Sequence, residues 1–182
     1  MTGRQLTTLA LMAGLAALAA APTALSAQTA AGGSGLPVPR FVSLKSDRVN
    51  VRKGPGTDYP VAWVYERIGL PVEITREFEN WRQVRDADGA EGWVLANLLS
   101  GRRTVLVAPW DLKPAADAAK PAPTPLRTGA SAGAGVTALL APGVMANVLG
   151  CDGSWCQVSI ATARGYVEQA KLWGVYKGEG VR

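Results

Sequence analysis

Val49-Asn50-Val51-Arg52-Lys53-Gly54-Pro55-Gly56-Thr57-Asp58-Tyr59-Pro60-Val61 is the stretch on which the fold turns. Alternating apolar and polar residues enter a turn with two glycines and a proline, and an apolar run leaves it. That pattern predicts strand, sharp turn, strand. Upstream, Phe41 to Ser46 alternates in the same way. Downstream, Val72 to Arg76, Trp81 to Arg85 and Trp93 to Leu95 read as further short strands, with a hairpin turn at Asp86-Ala87-Asp88-Gly89. Asp-Gly supplies the positive φ that such a turn needs. Ala96 to Gly101 reads as a 3₁₀ turn, and Thr104 to Val107 is expected to close the barrel. The sum is a small closed β-fold, the shape in which one sheet hides its own edges.

Around this core the chain divides by composition. Residues 1–27 read as a secretory signal: Arg4 gives the basic start, Leu6 to Ala21 the uncharged apolar core, and Pro22 a break before Ala24-Leu25-Ser26-Ala27. An apolar run of about sixteen residues is short of the ~20 needed to span a bilayer as a helix. Cleavage near Ala27 is therefore expected, leaving a periplasmic or secreted chain with no transmembrane segment. Residues 28–39 are a Gly/Pro/Ser-rich lead-in expected to be flexible. The first module is assigned to 40–110, a Pro/Ala-rich linker to 111–123, and a second module to 124–178.

The second module is a fainter copy of the first. Val51-Arg52-Lys53-Gly54 matches Leu126-Arg127-Thr128-Gly129, and Gly69 to Ile74 matches Gly143 to Val148. Trp81-Arg82-Gln83-Val84 matches Trp155-Cys156-Gln157-Val158, and Gly92-Trp93-Val94 matches Gly165-Tyr166-Val167. At these residues the chain resembles the bacterial SH3-like (SH3b) family, whose pattern is Asn-Val-Arg, a Gly/Pro turn, Gly-x-x-Val, Trp-x-x-Val and Gly-Trp-Val. The resemblance is good over Phe41–Val107 and looser over Leu126–Tyr176. It implies an all-β chain of two small SH3-like barrels in tandem, and a docking role toward peptidoglycan, peptides or partner proteins.

Composition narrows the chemistry. The 182 residues carry a net charge of +5 and no histidine. Without histidine there is no Ser-His-Asp or Cys-His catalysis and no two-histidine zinc site. The chain is expected to be non-catalytic, with no cofactor, no metal and, given export, no nucleic-acid partner. Cys151 and Cys156 flank a hairpin loop at the positions of Glu77 and Arg82 in the first copy. In an oxidising compartment they are expected to form a disulfide rather than a redox pair or half a metal site.

The candidate ligand residues lie in the first module: Arg52, Tyr59, Trp63, Tyr65 and Trp81. Exposed rings offer faces to sugars or proline, and a guanidinium can clamp an anion. The competing assignments are rings that seal the barrel or the seam, and an arginine that bonds loop carbonyls, as its recurrence at Arg127 favours. Trp93 is expected in the core and Trp81 half-exposed. Asp86, Asp88, Glu91, Glu77 and Glu79 are read as a solvated face. Two roles follow: a module that binds peptidoglycan or peptide, or an adaptor that docks onto another envelope protein.

Overall fold

A computed structural model describes residues 33–112, 122–161 and 163–182. The stretch read as a signal sequence and most of the Pro/Ala-rich stretch lie outside the described residues. The strands are β1 (Arg40–Leu44), β2 (Val49–Arg52), β3 (Val61–Tyr65), β4 (Pro71–Phe78), β5 (Trp81–Arg85), β6 (Glu91–Leu95) and β7 (Leu99–Ser100). After them come β8 (Thr104–Val107), β9 (Thr124–Arg127), β10 (Val136–Leu140), β11 (Met145–Asp152), β12 (Trp155–Ile160), β13 (Ala163–Glu168), β14 (Leu172–Trp173) and β15 (Gly180–Val181). The helical turns among the described residues are all 3₁₀, one at Ala96–Leu98 as expected.

The strands form two antiparallel sheets of one design. The first runs β3-β2-β6-β5-β4-β1-β7 and the second β10-β9-β13-β12-β11-β8-β14, with β15 added to β11. Each sheet curls over its own apolar core, one around Val49, Val51, Val72, Ile74, Val84 and Val94, the other around Val105, Val107, Leu126, Val158 and Val167. The register repeats in detail. Both long strands carry an irregularity at the same step, between Ile74 and Arg76 and between Val148 and Gly150. Gly69 and Gly143 both occupy the left-handed region, φ 78 and 75, where only glycine is unstrained.

Thr104–Val107 does not close the first barrel. It opens the second: β8 pairs with β11 and β14 just as β1 pairs with β4 and β7. The backbone confirms the equivalence. Leu44 N–H donates to Leu70 O at 3.0 Å and Lys45 N–H to Leu98 O at 2.8 Å; Val107 and Ala108 repeat these bonds to Val144 O and Lys171 O at 2.9 and 2.7 Å. The Pro/Ala-rich stretch is therefore an insertion inside the second module, between β8 and β9. Only Gly101-Arg102-Arg103 join the two sheets. Alternation marked β8 as a strand, but sequence order alone attached it to the wrong neighbour.

So short a junction brings the modules into contact. Phe41 meets Trp173 edge-on at 5.1 Å between centroids and Tyr176 at 4.7 Å, while the Arg103 guanidinium lies 6.0 Å above the Phe41 ring. Tyr176 Oη donates to Glu73 Oε1 at 2.8 Å, and Arg85 binds the other oxygen of that buried carboxylate. Thr104 Oγ1 donates to Gly69 O at 2.6 Å and Trp173 Nε1 to Pro71 O at 3.3 Å. Burial, and next the hydrogen bond to Glu73, push the Tyr176 hydroxyl well above its ordinary pKa, so it stays a donor. A buried carboxylate is tolerated only when its lone pairs are filled; Glu73 spends one oxygen on each module.

The lead-in is also less free than its composition suggests. Ser34 N–H and Oγ donate to the Glu77 carboxylate at 2.6 and 2.8 Å, and Val38 packs on the first core. Flexible composition yields here to one carboxylate that gathers Ser34, Arg40 and Arg82.

Candidate functional site

β2 divides its side chains by face: Val49 and Val51 enter the core, while Asn50 and Arg52 point away from it. Beyond them the Gly54-Pro55-Gly56 turn folds back on the strand. Arg52 Nη1 holds this turn by donating to Thr57 O at 2.9 Å and Tyr59 O at 2.6 Å. The Tyr59 ring closes over the turn. A Cβ at Gly54 would stand 2.4 Å from that ring, so only glycine fits.

The result is a shallow pocket of about 120 Å³, lined by Arg48, Asn50, Arg52, Thr57, Trp81 and the Leu95–Leu98 wall. It combines the exposed Arg48 cation, an amide, a hydroxyl and the edge of a largely buried indole. Such a set suits a ligand with hydroxyl or amide groups and a flat or apolar side, a sugar or a peptide segment.

Of the five candidates, Arg52 and Trp81 meet in this pocket. Tyr59 stands on its turn, 47% exposed. Trp63 and Tyr65 belong elsewhere. They pair across strands with Val51 and Val49, and cross-strand partners share a face, so both rings lie on the core side. They pack edge to face at 6.0 Å. Tyr65 Oη donates to Asp86 Oδ2 at 2.9 Å, and burial, then the Asp86 charge, raise its pKa far above the ordinary value. Their role in the fold is sealing the barrel.

Two further expectations are corrected. Trp81 is buried, 7% exposed, at the start of β5, where it pairs across the strands with Leu95 of β6. Trp93 is only half-buried: Gly92, not Trp93, faces the core, where its missing Cβ leaves room for Val51. The acidic residues are not a simple solvated face either. Asp86 accepts from Tyr65 and from the Asp88 and Ala90 amides, and the Glu77 side chain is 7% exposed. Burial alone would raise the Glu77 carboxyl, but hydrogen bonds from Arg40 and Ser34 outweigh it and hold it below the ordinary value.

Sequence reasoning missed Arg48, Asn50 and Thr57. Alternation could have found Asn50, the polar residue between two core valines; nothing local assigns Thr57 or Arg48 to it. The second module keeps the arginine and loses the pocket. Arg127 Nη1 donates to Ala134 O at 2.8 Å, the same loop-holding bond. Pro125 stands in place of Asn50, Ala134 in place of Tyr59, and Glu168 and Lys171 in place of Leu95 and Leu98. Cys151 and Cys156 are joined as expected, S–S 2.05 Å, across the pairing that Glu77 and Arg82 make in module one.

The bacterial SH3 domain matches residues 45–101 and again 120–174. The chain belongs to the bacterial SH3 domain family. The matched segments are the two curled sheets, less the strand that opens each and, in the second, β15. A putative N-acetylmuramoyl-L-alanine amidase of Bacillus subtilis is 26% identical over 124 residues, 68% of this chain. This SH3 chain spans about a quarter of that relative's length, 24%. Two solved structures, NlpC1 and NlpC2 of Trichomonas vaginalis, match 78% and 74% of the chain and 48% of their own, each at 11% identity, with TM-scores of 0.34 and 0.33. No helix among the described residues is long and apolar enough to cross a membrane, and the disulfide fits an oxidising compartment.

Proposed function

We propose that this bacterial SH3 chain is an exported, non-catalytic binding module that recognises cell-wall peptidoglycan, or a peptide of the envelope, through the pocket of module one. One observation carries the reading. Arg52 and Trp81, distant in sequence, line a single pocket with Asn50 and Thr57 in module one, whereas module two retains only the loop-holding arginine. A putative amidase among the relatives supports a cell-wall ligand, and a chain without histidine supports a non-catalytic role by removing histidine acid/base chemistry. A sedimentation assay with purified peptidoglycan tests it. Wild type is retained; Asn50→Ala with Arg48→Ala, both exposed and outside the core, lowers retention about tenfold. Equal retention of variant and wild type removes the pocket from the account.

A second reading, an adaptor docking onto another envelope protein, is favoured by Tyr59 and Val61, 47% and 42% exposed beside the pocket at the sheet edge. Mild crosslinking in cells distinguishes it. A single protein partner lost in Val61→Lys supports the adaptor, and its absence supports the wall.

A further inference from the structure

The docking of the two modules leaves a cleft of about 550 Å³ at their seam, away from the pocket of module one. One wall is β1 with the 3₁₀–β7 turn, Arg40, Leu99 and Gly101; the other is Arg103 with the segment Glu179–Arg182. Neither module has this cleft alone. Its volume lies within the range of small-ligand sites, ~300–1,000 Å³. Its floor is apolar, from Phe41, Val42 and Ile74.

Charge decides what fits. Arg40 and Arg82 share one carboxylate, that of Glu77, at 2.5 and 3.0 Å. Arg103 is matched by Glu179 at 2.9 Å. Two guanidiniums against one carboxylate leave a positive surplus, and the exposed Arg182 side chain stands at the same rim. Arg40, Arg82 and Arg103 already donate within the protein, to Pro37 O, Glu79 O and Gly174 O among others, so they supply surplus charge. The exposed Arg182 guanidinium is free to pair, and this cationic rim over an apolar floor suits a carboxylate on a short apolar chain. Gly101 and Gly180 are exposed and bring bare backbone to the walls. We propose that the seam cleft is a second binding site, taking an extended peptide by its carboxylate. The far wall is held in place by β15, which pairs Val181 with Cys151 and Gly180 with Asp152 beside the disulfide.

The test uses ¹⁵N-labelled protein titrated with acetyl-trialanine, as the free acid and as its C-terminal amide. The acid is expected to move the Gly101 and Gly180 amide signals and to bind about tenfold tighter than the amide. Gly101 has no atom within 4 Å of a Cβ position and no left-handed φ, so Gly101→Phe fills the cleft without straining the barrel; it is expected to abolish binding. Arg182→Ala, at the exposed rim, is expected to weaken the acid and not the amide. Static signals at millimolar peptide, equal binding of acid and amide, or full binding by Gly101→Phe each overturn the proposal. The site is independent of the wall-binding pocket: Asn50→Ala leaves this titration unchanged, and Gly101→Phe leaves peptidoglycan retention unchanged. Shifts that gather at Asn50 and Trp81 instead support the pocket and refute the cleft.

Discussion

At one point of the β4–β5 and β11–β12 hairpins the two modules solve the same problem with different chemistry. Module one joins Glu77 to Arg82 across the strands by an ion pair at 3.0 Å; module two joins Cys151 to Cys156 by a covalent bond. The backbone register is the same in both. The ion pair does more than fasten a hairpin, because Glu77 also binds Ser34 and Arg40 and so ties the lead-in down. The disulfide fastens one hairpin and the β15 strand beside it. Module two needs the stronger fastening. Ala138 and Ala146 supply its packing where module one has Trp63 and Val72, and a long insertion separates its first two strands. The lesson is that a duplicated fold keeps its fastening points while the chemistry at each is free to change.

The sharpest break in the comparison lies at the paired glycines. A Cβ at Gly165 would meet Arg127 O at 2.6 Å, whereas at Gly92 the nearest atom is a methyl of Val51 and the nearest carbonyl, Arg52 O, is 3.2 Å away. Backbone cannot step aside as a side chain can. Gly165→Ala is expected to destabilise module two by about 3 kcal/mol, and Gly92→Ala to cost module one less. Calorimetry of both variants checks the order; a larger loss for Gly92→Ala reverses it.

Next is the disulfide. Cys151→Ser with Cys156→Ser is expected to cost about 2 kcal/mol, the chain-entropy value for so short a loop. In denaturant the loss should appear in the fluorescence of module two, and an unchanged midpoint contradicts the fastening role. The matching variant, Glu77→Gln, is expected to cost about 1.5 kcal/mol, the low end for hydrogen bonds to a charged group. Here pH separates the modules. Glu77 has a folded pKa below its ordinary value of 4.5, so its contribution is complete above that value and is lost as pH falls through it toward the folded pKa. Ser34 and Arg40 should loosen in acid while the Cys151–Cys156 hairpin does not. Hydrogen exchange at Ser34 N–H across that window reads the difference, and equal acid sensitivity of the two hairpins contradicts it. The smallest effect is at the seam. Tyr176→Phe removes the hydrogen bond to Glu73 but leaves Arg85 in place, at a cost of about 1 kcal/mol. Separate melting of the two modules in that variant shows that the seam had coupled them.

The sequence by itself determined the local elements and the repeat. Alternation placed β2 and β5 within a residue or two, the apolar run after the glycine turn placed β3, Asp-Gly placed a hairpin, and the offset between copies set Cys151 opposite Cys156. These are short-range properties, written in the order of residues along one strand or across one turn. Only the tertiary structure decided where β8 belongs, that Trp81 is buried while Trp93 is not, and that Trp63 and Tyr65 lie on the core side while Asn50, Arg52 and Thr57 line a pocket. A strand with both faces apolar does not say which face is inward, and a strand between two sheets does not say which will take it. Those choices fall to contacts made far along the chain, such as Glu73 with Tyr176, whose energy exists only once both sheets have closed.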